Sequence, residues 1–101
     1  MSNYILDESG EPVLEPDLLR FSRWWEAADR RLFDDLVGDE RVSTVFLGMD
    51  HGFGKGPPVL WETMVFGGQH DGFQQRYSSK ASAMAGHAEA LAMVCSATTT
   101  A

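Results

Sequence analysis

The chain has 101 residues, room for one domain, and its 44% apolar and 23% charged residues are ordinary globular usage that excludes the disordered class. A single cysteine, Cys95, excludes an internal disulfide and a cysteine-based zinc site, and no apolar run approaches the ~20 residues that span a bilayer. The net charge of −7 comes from residues 1–40, where eleven acids face four arginines, while residues 41–101 balance four acids against four basic residues. That acidity argues against nucleic acid and suits a protein partner, a solvated acidic surface being the plainer alternative. The N-terminus has no basic stretch followed by an apolar one, so the expected compartment is a reducing cytoplasm.

In chain order, Tyr4-Ile5-Leu6 reads as a short strand closed by the turn-rich Asp7-Glu8-Ser9-Gly10. Residues 11–16 read as a connector with two prolines. Asp17 then caps a helix whose apolar positions Leu18, Phe21, Trp25, Ala28, Leu32 and Leu36 recur at helical spacing, with Gly38 as its stop. Residues 42–49 are rich in β-branched and apolar types and read as a central strand. Residues 50–58 hold three glycines and two prolines and form a loop. Residues 59–66 give a further strand, 67–72 a turn, and 73–77 a more polar strand near an edge. Ser78 or Ser79 caps a second helix, in which Met84, His87, Leu91 and Val94 recur at three- and four-residue steps. Residues 96–101 read as a frayed tail of the single domain 1–101.

The order β-α-β-β-β-α predicts an α+β fold: a mainly antiparallel sheet of three to four strands packed with two helices. The opening strand–helix–strand predicts that its two strands run parallel through a right-handed crossover. Leu18, Phe21, Trp25, Leu32, Val45, Leu47, Val65, Phe66, Met84 and Leu91 are the expected core.

This topology sorts the polar residues. Three histidines with Asp50, Asp71 and Glu62 nearby invite a metal reading, yet His51 and His70 are separated by a strand of eight residues, roughly 26 Å. His87 lies on an apolar helix stripe, where a hydrogen-bonded core histidine is expected. No metal and no cofactor is therefore predicted. One end of the sheet instead collects Asp50, His51 and Lys55 in the glycine-rich loop, with Arg76, Tyr77, Ser78 and Ser79 at the start of the second helix. A helix N-terminus attracts anions, so this end is the candidate ligand or anion site. The loop lacks the spacing of a phosphate-binding motif, and a purely structural turn is the competing reading. Neighbouring helix residues point about 100° apart, so Trp24 and Trp25 cannot both fill a narrow core face. Trp25 is assigned to the core, and Trp24 either to its edge or to a partner-binding surface.

The segments Val42-Ser43-Thr44-Val45-Phe46-Leu47-Gly48, Asp50-His51, Phe53-Gly54, Gly56-Pro57-Pro58 and Glu62-Thr63-Met64-Val65-Phe66-Gly67-Gly68, with Arg76-Tyr77-Ser78 and Gly86-His87 later, resemble a family of small uncharacterised proteins of tailed bacteriophages and prophages. The likeness covers residues 4–94 and is most specific over 42–68. It implies a phage-encoded accessory product, carries no activity, and assigns no catalytic residue. The leading expectation is accordingly a non-enzymatic accessory protein in the host cytoplasm that binds a host or phage protein, anti-defence being one version. A small enzyme or ligand-binding protein using the Asp50/His51/Arg76/Tyr77 end is a second class, and a minor virion or assembly component a third. Self-association is left open, and neither nucleic acid nor membrane is an expected partner.

Overall fold

A computed structural model of the chain describes residues 2–52 and 56–99, with the side chains of 97–99 excepted. The fold is α+β, as the sequence predicts. Strands β1 (Tyr4–Leu6) and β2 (Pro12–Leu14) precede helix α1 (Leu18–Ala27), strands β3 (Arg31–Val37), β4 (Glu40–Phe46), β5 (Trp61–Phe66) and β6 (Gln74–Tyr77), and helix α2 (Lys80–Thr99). The last four strands form an antiparallel sheet in the order β3-β4-β5-β6, and β1 pairs with β2 in a separate hairpin.

Two expectations are corrected here. Residues 12–14 are a strand, not a connector, so β1 pairs antiparallel with β2 and makes no parallel crossover with β4. Its link to the end of β4 is a single antiparallel bridge, Asn3 to Met49. The first helix, in turn, ends at Ala27, and residues 31–37 are an edge strand. Asp17 caps α1 as predicted, its carboxylate accepting from the N–H groups of Leu19 and Arg20. Ala28 then turns extended, and Asp29 accepts from the Arg31 N–H to launch β3. Gly38 does supply a positive φ of 61°, but in the two-residue turn joining β3 to β4, where a glycine opens a type II′ hairpin. Because α1 holds only Glu26 among acids, the acidity sits in the β1–β2 hairpin and along β3, and neither described helix is acidic.

Side chains alternate across the sheet. Val42, Thr44 and Phe46 of β4 and Trp61, Thr63 and Val65 of β5 face α2 and are buried. Toward one end, Val42 and Val65 pack with Ala90 and Val94. Toward the other, Phe46, Leu60, Trp61 and Ala83 pack with Tyr4, Leu6 and Trp24, so the hairpin, α1 and α2 all lie on one side. Trp25 is half-buried, wedged between Gly48 and the Arg30 guanidinium, which lies 3.5 Å from its ring centroid. Several expected core residues lie outside it. Leu18 is 68% exposed because α1 buries only Phe21, Phe66 (48%) lies on the helix-free face, and Met84 (46%) lines an open cleft between β3 and α2. Helix α2 continues through Cys95 to Thr99, past the point where its apolar stripe ends.

Candidate functional site

The sequence-predicted end does not assemble into one site. Asp50 Oδ1 accepts from the N–H groups of Gly52 (2.8 Å) and Val59 (2.9 Å), tying the two ends of the loop together. Those bonds, Gly52's first, hold its carboxyl below the usual carboxylate range. His51 Nδ1 donates to the Met49 carbonyl at 2.7 Å. Lys55 lies outside the described residues. Arg76 turns away from the start of α2: its Nε meets Glu62 Oε2 at 2.9 Å on the helix-free face, where the Gln74 amide donates to the same oxygen. Tyr77, the next residue along β6, points to the opposite face and donates to Thr63 Oγ1 at 3.2 Å. Ser78 is exposed, and Ser79 is the α2 cap, its hydroxyl accepting from Ser82 N–H. Lys80 reaches the Ser9 carbonyl, bringing the acidic hairpin tip to this helix start, where it opposes an anion. Trp24 meets Phe46 edge-on at 5.8 Å and forms the rim of the core.

A different constellation occupies the packed side. Asp35 Oδ2 accepts from His87 Nε2 at 2.7 Å, His87 Nδ1 meets Thr44 Oγ1 at 2.7 Å, and Thr44 meets Thr63, which accepts from Tyr77. An ionised Asp35 can only accept, so Nε2 carries the proton. With a neutral imidazole every other bond then follows: Thr44 donates to His87, Thr63 to Thr44, and Tyr77 to Thr63. The chain touches β3, α2, β4, β5 and β6 in turn. It resembles a carboxylate–imidazole–hydroxyl relay, but Thr44 and Thr63 are 0% exposed, so neither threonine hydroxyl can meet a substrate. Its role is to satisfy buried polar groups and lock the four strands to the helix. Sequence reasoning placed His87 in the core; Asp35 was missed because residues 31–37 read as helix. Beside this relay, Phe33, Asp35, Met84, His87, Ala88 and Leu91 enclose a cleft of about 280 Å³ between β3 and α2.

The third feature is the helix-free face of the sheet. Ser43, Val45, Glu62, Met64 and Phe66 line a shallow groove of about 180 Å³, and Leu36, 74% exposed, lies on the same face beyond Arg41, which pairs with Phe66 on its other side. Charges here are matched: Arg41 forks onto Asp34, and Arg76 binds Glu62.

Among the described residues no cluster of three or more His, Cys, Asp or Glu side chains could hold a metal ion. None of the described helices is long and apolar enough to cross a membrane. No family model, curated protein or solved structure matches the chain.

Proposed function

We propose that this is an accessory protein that acts by binding another protein through the helix-free face of its four-stranded sheet. The observation that carries the reading is the apolar set of Leu36, Val45, Met64 and Phe66, which neither described helix covers, whereas the opposite face carries both core clusters. Apolar patches rimmed by polar groups are a common mark of interaction surfaces. The partner's contact strip should be apolar and nearly uncharged, because the Arg41–Asp34 and Arg76–Glu62 pairs leave this face neutral on a chain of net charge −7. The resemblance of residues 42–68 to small tailed-phage proteins supports a phage origin, a host or phage protein as partner, and the host cytoplasm as the place of action.

The test is differential capture. Wild type and Leu19→Asp, which alters a distant exposed leucine (61%), should retain the same partner, while Phe66→Asp and Leu36→Asp lose it without loss of melting temperature. Equal retention by all four proteins removes the face from consideration. A dimer of this chain abolished by Phe66→Asp would replace the foreign partner with a second copy.

A further inference from the structure

The cleft between β3 and α2 is built unlike the rest of the surface. Its walls are apolar: the Phe33 ring, Met84, Ala88 and Leu91. Both ring nitrogens of His87 are engaged, one by Thr44 and one by Asp35, so the imidazole offers the cleft no free polar atom. Asp35 differs. Its Oδ2 holds His87, while Oδ1 has no partner among the described residues and the side chain is 48% exposed. Asp35 is thus the one acidic residue lining an otherwise apolar hollow of about 280 Å³, close to the lower end of small-ligand pockets.

The geometry points to a binding site for a small hydrophobic amine, its apolar body between Met84, Ala88 and Leu91 and its ammonium on Asp35 Oδ1. Three independent features select a cation. The carboxylate supplies a charge-assisted acceptor. Phe33, 38% exposed, presents an aromatic ring beside it for a cation–π contact. The chain's net charge of −7 draws cations and repels anions. A carboxylate-bearing ligand of the same shape would meet Asp35 head-on. His87 acts here as a positioning residue, fixing the Asp35 carboxylate through Oδ2 so that Oδ1 is presented without rotamer cost at binding. The cleft lies across the sheet from the helix-free face, so its occupancy does not depend on the protein partner proposed above.

Titration with phenethylamine as the probe, followed by methyl NMR, tests the assignment. Saturable shifts of the Met84 and Leu91 methyl resonances are expected, with those of Val45 and Met64 on the far face unmoved. Phenylpropionate, of similar shape and opposite charge, should shift nothing. Asp35→Asn should weaken phenethylamine by about tenfold or more, the loss expected for a hydrogen bond to a charged group. Ala88→Phe, at an exposed position of α2, should fill the cleft and abolish binding. Absence of saturable shifts in wild type, equal binding of phenylpropionate, or unchanged affinity in Asp35→Asn would each overturn the site.

Discussion

Gly86 shows how one atom can decide the sign of a substitution. It is buried within α2, where intrinsic propensity favours alanine over glycine by about 1 kcal/mol. Yet the Tyr77 ring lies directly against it, and a Cβ at that position would overlap the ring's Cε1, Cζ and hydroxyl oxygen. Overpacking of this kind costs about 1–3 kcal/mol, so Gly86→Ala should lower the melting temperature. A rise would mean that Tyr77 can leave its bond to Thr63 freely. Thr44 presents a related case: Thr44→Val keeps the volume but strands His87 Nδ1 and the Thr63 hydroxyl in the core. Thermal or denaturant unfolding should register a loss of roughly 1–3 kcal/mol. No measurable loss would show that the row of hydrogen bonds from Asp35 to Tyr77 does not lock the sheet to α2.

At the level of elements, packing against the core clusters decides which leucines matter. Leu60→Ala, at a site 2% exposed, should cost about 2–5 kcal/mol. Leu36→Lys, 74% exposed on β3, should change stability by less than about 0.5 kcal/mol. Were residues 31–37 the end of an amphipathic helix, Leu36 would be the costly one, so denaturant melts of the two variants distinguish the architectures. The sequence was legible for β4, β5, the existence of α2 and the Asp17 cap, although the predicted stripe of α2 includes the exposed Met84. It misled over residues 28–37 because positions four apart are in phase in both a strand and a helix, so Leu32 and Leu36 fit either. Gly38 was equally ambiguous, since a helix stop and a hairpin turn both ask for positive φ. A bulge between Arg31 and Phe33 then allows Leu32 to pack on the core cluster, an effect that depends on the partner strand and leaves no trace in local spacing. The candidate site was less legible than the fold. Arg76 and Tyr77 were correctly placed on one strand, but adjacent strand residues point to opposite faces, and convergence of backbone segments did not become convergence of side chains.

For the molecule as a whole, charge sets the response to acid. Asp50 is held below the usual carboxylate range by the Gly52 and Val59 N–H groups, and Glu40 by the His70 backbone N–H and then its imidazole. Lowered values in the folded state mean that the unfolded chain takes up protons first as pH falls. The stabilisation is therefore present above the ordinary carboxylate range and lost as pH drops through the lowered values, so the melting temperature should fall below about pH 4. Asp50→Asn should flatten that fall, and an unchanged slope would show that the loop closure contributes nothing to it. The proposed function rests on a different asymmetry, a sheet with one face packed by α1, α2 and the hairpin and the other left bare by the described residues. A photoreactive phenylalanine analogue placed at position 66, and at Leu19 as control, tests that claim most directly in bacterial cells producing the protein. A discrete adduct with one foreign protein from position 66, absent from position 19, is the predicted result. No adduct from position 66 beyond that seen at position 19 would contradict it.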